Sequence, residues 1–382
     1  MNIKKAIATL IAVVLLVGVS YYLGSRQEKV IAPLTAGDPW VAFNQELSKA
    51  AAYIHRDETP KDPLTIAEGY RFLARMLRLS WEHTYEYADP NNPKLFKVNE
   101  DYMSNGINTT DCLYLTAIID GHIDYKLSGL RGTAPLIEIS TYEGLYGTVK
   151  NSVRVDFITE QDLQLEPDGS FSLILSQTPQ AKGWLKTSDK TTVLFVRQYT
   201  HDWSNTQAAE LVVEPLQTLA ARPTTLVSVT DGYANAAHFL NNYLDIFTGL
   251  ADRGKSLKEN NLIPIPTMMQ ASLPGGHRYA AGSFNLQADD IMLLSFKPVT
   301  APYWGVQLGN YWSEVLDYEG SGSHLNNQTA VLDNDGRVTI AISQAPRPRE
   351  PPTGWTLVTI LQARLFIVSC AIWRARQNLP SN

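Results

Sequence analysis

Glu314 and Asp317 are the residues whose type and spacing come nearest to acid–base chemistry, three positions apart in Tyr311-Trp-Ser-Glu-Val-Leu-Asp-Tyr318. Paired carboxyls serve glycoside chemistry as general acid and base when they flank the scissile bond. Close together in one loop, these two have nothing that makes them flank one. Around them Trp304, Gln307, Trp312, Tyr318 and Asn326 interleave rings with amides. Such a mixture lines ligand clefts, because rings supply area and polar groups fix orientation. It also builds a β core with hydrogen-bonded polar side chains. Both readings of residues 302–336 stay open. Two arginines are further candidates. Arg197 closes a Val-rich run and shares a strand face with Tyr199, since strand side chains alternate. Arg131 stands before Gly132. Each is suited to holding an anion or to pairing with an internal carboxylate.

The common chemical signatures are absent. No HExxH, GxxxxGK[ST], GxSxG or GxGxxG occurs, which removes the usual zinc-protease, P-loop, hydrolase-elbow and dinucleotide readings. The seven histidines are scattered; His201-Asp202 and His324 have no ligand spacing, and no metal or cofactor is expected. Asp333-Asn-Asp335-Gly336 begins like a calcium loop, but Gln344 occupies the position where such a loop needs glutamate. A β-turn is the better account.

The chain has 382 residues, 44% hydrophobic and 18% charged. That describes a globular protein able to bury a sizeable core in two packed units. A net charge of −6 argues against general nucleic-acid binding. Two cysteines, Cys112 and Cys370, give no disulfide framework. At the amino terminus Lys4 and Lys5 precede an uncharged run, Ala6 to Leu23, about long enough to cross a ~30 Å hydrocarbon core. The flanking charge keeps that end cytoplasmic and places the body outside. A signal-anchor over residues 1–25, with the membrane as partner, is therefore expected. A cleaved signal peptide is the rival, and Tyr21-Tyr-Leu-Gly24 offers it a poor cleavage site.

Helical periodicity covers residues 38–90, where Thr65 followed by Glu68 reads as a capping box. Arg71, Arg75 and Arg78 there read most simply as a solvated stripe. Strand patterns fill a first β domain, 100–215, with turns at Asp120-Gly121 and Asp168-Gly169. A helical connector, 223–258, leads to a C-terminal β domain over 265–350. The expectation is an α+β protein with two β-sandwich or jelly-roll-like blocks behind the anchor.

The run Tyr303-Trp304 to Tyr318, continued by Leu325-Asn326-x-Gln328 and Asp333-x-Asp335-Gly336, resembles the bacterial domain-of-unknown-function 1214 family, often found with family 1254. Ala67-Glu-Gly-Tyr-Arg-Phe-Leu, Tyr125-Lys-Leu-x-Gly-x-Arg131-Gly132 and Val196-Arg197-Gln-Tyr199 extend the likeness over residues 45–350. The resemblance implies a β-rich exported or membrane-associated protein and no established activity. It also implies an ending of Pro-Asn-Trp-Leu-Asp and a Gly-His pair. Residues 351–382 depart from it, and another reading frame of Pro351–Thr359 can spell that ending, so a frameshift is one account of this divergent tail. A hydrophobic segment from Trp355 to Trp373 is the other, and Arg364 makes it a costly membrane span. The expected function is a membrane-anchored envelope module binding a small molecule, glycan or lipid. A hydrolase or lyase acting on an envelope or periplasmic carbohydrate or lipid is the alternative.

Overall fold

The structure is a computed structural model. It describes residues 37–99, 106, 108–144, 147–149, 152–256, 260, 263–264, 277–287, 289–316, 322–343, 355–359 and 365–371. The chain divides into two compact units, Met1–Ala42 and Phe43–Asn382; the fold and site described below lie in the second. The expected anchor and Asp317-Tyr318 lie outside the described residues. Among the described residues no helix is long and apolar enough to cross a membrane.

The protein is α+β, with many strands in several sheets and few helices. Helices α1 (Pro39–Ala52), α2 (Pro63–Trp81) and α3 (Leu226–Ser256) carry one apolar cluster. Helix α2 does not start as a Thr65 capping box. Its cap is Asp62, whose carboxylate accepts from the Thr65 amide at 2.9 Å and from the Thr65 hydroxyl at 2.8 Å, with Pro63 in the first turn. The stronger acceptor lies three residues earlier, and proline needs no amide partner there. Phe72, Met76 and Leu79 then recur at helical spacing and are buried. Helix α3 opens with a reciprocal cap, the Ser228 amide donating to the Thr225 hydroxyl at 3.0 Å and the Thr225 amide to the Ser228 hydroxyl at 2.9 Å. It buries Phe239, Leu240, Tyr243 and Leu244 against α2.

Among the described residues nine strands precede α3: β1 (Phe96–Lys97), β2 (Cys112–Ile118), β3 (Tyr125–Leu130), β4 (Leu136–Glu143), β5 (Val153–Thr159), β6 (Ser170–Ser176), β7 (Trp184–Lys186), β8 (Val193–Tyr199) and β9 (Glu210–Pro215). They form one sheet in the order β1-β2-β8-β4-β5 and another in the order β7-β6-β3-β9. Ile137, Ile139, Leu194 and Val196 of the first sheet meet Leu127, Leu173, Leu175 and Val213 of the second in one aliphatic core. Because side chains alternate, the opposite face of β2, β8 and β4 carries a different set, described below.

Among the described residues eight strands follow α3: β10 (Ile263–Pro264), β11 (His277–Ser283), β12 (Ile291–Phe296), β13 (Tyr303–Gly309), β14 (His324–Asn326), β15 (Val338–Ser343), β16 (Trp355–Thr359) and β17 (Leu365–Ala371). Their sheets run β10-β11-β17-β13-β14 and β12-β15-β16. The segment after Pro351, expected as a divergent tail, thus supplies two strands. Strand β17 lies between β11 and β13 and is antiparallel to both. Asp333-Asn-Asp-Gly is a turn, with the Gly336 amide donating to the Asp333 carbonyl at 2.9 Å and Gly336 at φ 76°.

His83, just beyond α2, supplies a pH-dependent element. Its Nδ1 faces the Leu79 carbonyl at 2.9 Å, and its ring packs on Phe96 and Phe239. Burial pulls its pKa from 6.5 to about 4. As pH falls through ~6.5 the unfolded chain takes up this proton first, so stability drops until about pH 4 and then levels off. From pH 7 to pH 5 this one group is expected to remove about 2 kcal/mol. His83→Leu should abolish that component in urea melts at the two pH values.

Candidate functional site

Of the two readings left open for residues 302–336, cleft and β core, the described rings take the second, divided among several interiors. Strand β13 is buried along its whole length. Trp304, Val306 and Leu308 point into the C-terminal core with Leu325 and Ile340. Tyr311 and Trp312 leave the strand end and plug the helical cluster. Trp312 is 1% exposed, donates from Nε1 to the Thr65 carbonyl at 2.7 Å and stacks on Phe72. Within the candidate Trp304–Tyr318 cleft, Trp304 and Trp312 are therefore corrected to core packing, and Tyr318 lies outside the described residues. The residues alternate along a doubly covered strand and then turn a corner.

A Cβ at Gly69 on α2 would stand 2.5 Å from Trp312 Cζ2. Gly69→Ala gains up to about 1 kcal/mol of helix propensity. It must also displace a hydrogen-bonded indole, which costs about 1–3 kcal/mol. A net loss of stability in urea titration is expected, against the usual sign of this substitution.

Glu314 is corrected in the same way. It is 1% exposed, and its Oε2 accepts from Arg71 Nη2 at 2.7 Å and Asn310 Nδ2 at 2.9 Å. Its Oε1 accepts from Arg75. Arg71, with about half of its side-chain surface still exposed, and Arg75 clamp the turn after β13 onto α2, while Arg78 donates to Glu82 at 2.7 Å. Three donors hold the two Glu314 oxygens, and at 1% exposure the carboxylate is enclosed by the side chains that fix it. Arg131 sits after β3 with Glu160 as its charged neighbour, and burial lowers its pKa. It does not join Arg197.

What the fold does bring together lies on the second face of β2, β8 and β4. Register places Cys112 and Leu136 beside Tyr199, and Tyr114 and Glu138 beside Arg197. Arg197 donates from Nη1 to Glu138 Oε1 at 2.9 Å and to the Tyr142 hydroxyl at 3.3 Å. Its guanidinium lies over the Phe195 ring, 4.2 Å from the centroid. The Ser140 hydroxyl also donates to Glu138 Oε1, at 2.7 Å. Burial works against the charge of Arg197, but Tyr142 and Glu138 outweigh it and hold its pKa well above the ordinary value. Burial raises the Tyr114, Tyr199 and Tyr279 hydroxyls and the Cys112 thiol. These groups stay protonated at neutral pH, so Cys112 is no thiolate nucleophile.

The C-terminal sheet covers this face through β13 and β14. The Tyr303 ring lies 5.3 Å from Tyr199. The Tyr303 hydroxyl donates to Asp111 Oδ2 at 3.0 Å, Asn326 Nδ2 donates to the same oxygen at 2.9 Å, and His324 Nε2 stands 2.9 Å from it. Gln307 holds the adjoining chain, donating from Nε2 to the Asn108 carbonyl at 2.7 Å. His201 packs against Tyr303, and its carbonyl accepts from Asn326 at 3.1 Å. Of the residues singled out from sequence, Arg197, Tyr199, Gln307 and Asn326 converge here. Asp111, Glu138, Tyr142 and Tyr303 were missed as site residues.

An α+β protein of several sheets with a polar, tyrosine-lined interior between two of them is the class defined so far. The family model described as "Protein of unknown function (DUF1214)" matches residues 117–202. The chain resembles that family there, over the strands bearing Glu138 and Arg197 rather than over the 303–336 stretch. A crystal structure of an uncharacterized protein from Burkholderia cenocepacia is similar at 29% identity, covering 87% of this chain and 92% of that one, with a TM-score of 0.81. A Vibrio parahaemolyticus protein aligns at 12% identity over 85% and 94% of the two chains, with a TM-score of 0.45. No curated protein matches.

Proposed function

We propose that this is an exported, membrane-tethered module of the cell envelope that binds a small molecule between its first sheet and its C-terminal sheet. The two blocks are read as β-sandwich or jelly-roll-like units, and residues 1–25 as the tether. One observation carries the binding reading: the contrast between the two faces of β2, β8 and β4. One face is aliphatic, with Ile137, Ile139, Leu194 and Val196. The other buries an ion pair and several tyrosines from the same strands. Stability alone favours apolar residues in such a place, since a buried pair is often neutral or worse than a hydrophobic replacement. Perturbed ionisable groups gathered in one interior mark functional sites.

A hydrolase or lyase using Glu314 gains no support from a carboxylate enclosed between Arg71, Arg75 and Asn310. The test is thermal melting of the full chain in detergent with soluble sugars, short-chain lipids and small organic acids. A true ligand at a hundredfold over its Kd adds about 2.7 kcal/mol, and Tyr142→Phe should shrink the shift. No response to any class would refute the binding role. For the tether and orientation, protease added to spheroplasts should digest the body, and its protection would place it inside.

A further inference from the structure

We propose that the ligand of this interior is a neutral, hydroxyl-rich ring, a sugar or similar polyol, whose neighbouring oxygens sit on the open edge of Arg197. This rests on the binding reading above. Both hydrogen bonds of the guanidinium leave from Nη1, to Glu138 and Tyr142, and Nε and Nη2 make none to a described residue. Those two nitrogens share one edge of the planar group and present parallel N–H donors. Such an edge fits two adjacent acceptor oxygens, as in a carboxylate, a phosphate or a vicinal diol. Arg197 keeps 10% of its side-chain surface accessible, whereas Glu138 is fully enclosed.

Charge balance chooses among the three. Glu138 already matches Arg197, and the tyrosines around the pair are held neutral by burial. Asp111, in the adjoining part of the interior, is a second acid. Among the described residues no further arginine or lysine of this interior is left to meet the charge of an anionic ligand, and His324 already stands against Asp111, in a place where desolvation is costly. A diol adds no charge. It accepts from Nε and Nη2, donates its own protons to tyrosine oxygens, and lays its C–H face on a ring.

Calorimetric titration of the full chain with methyl glucoside, galactose and myo-inositol, and with glucuronate and galacturonate, tests this. At least one neutral compound should bind, and the related uronate at least about ten-fold more weakly. Arg197→Lys keeps the charge beside Glu138 but loses the edge, so neutral binding should fall at least about ten-fold with an unchanged circular dichroism spectrum. A uronate binding as well as its neutral counterpart overturns the proposal while leaving a small-molecule site standing. Neutral binding unaltered by Arg197→Lys also overturns it. If these compounds and every class in the thermal screen fail to bind, both readings fall. The wild-type comparison holds even if the variant does not fold.

Discussion

Glu138→Leu is expected to destabilise the protein by about 3–5 kcal/mol, because it strands a buried arginine charge. Glu138 is 0% exposed at the centre of β4, and Arg197 beside it is 9% exposed. Coulomb attraction between the two only offsets the cost of drying them, so losing one partner removes the gain and keeps the cost. The double variant Glu138→Leu/Arg197→Leu removes both charges. It should recover most of the loss, leaving a smaller deficit from the Ser140 and Tyr142 hydroxyls that lose their partners. The measurement is a double-mutant cycle in urea at neutral pH. Additive losses would show that the pair is not energetically closed, and would remove the argument that it is kept for binding.

Trp312→Ala should cost about 3–5 kcal/mol, the range for deleting a buried indole. The loss has three parts: apolar area, the cavity left among α2 and α3, and a Thr65 carbonyl without its donor. Trp312→Phe keeps most of the volume and should cost markedly less. Neither substitution should change ligand affinity in protein that remains folded. A specific loss of binding in Trp312→Phe would restore this residue to the ligand site and refute its assignment to the core.

Strand alternation made part of the site legible. It places Arg197 and Tyr199 on one face of β8, and the register shows them there beside Tyr114 and Cys112. Glu138 was not legible, because in Leu-Ile-Glu-Ile-Ser-Thr an acidic residue at the polar phase reads as solvent-facing. Only the later sheet, joined through Tyr303 and Asn326 to Asp111, makes that face an interior. Sequence distances of 192 and 215 residues separate those partners, so no local pattern announces them. For Trp304 and Trp312 the sequence leaves cleft and core both open, because proximity along the chain does not say which interior each ring enters. Alternation and the turn at Asn310–Glu314 send them to different cores.

The place of β17 has a consequence for how the molecule is made. It inserts between β11 and β13, which are otherwise not neighbours, and pairs with seven residues of each. A chain emerging amino end first can complete its first two sheets long before this strand exists. Until residues 365–371 are delivered, β11 and β13 present bare edges, the surfaces through which unfinished chains associate. Assembly of this sheet is thereby postponed until β17 has been made, and a product clipped shortly before residue 365 would be prone to stick to its neighbours.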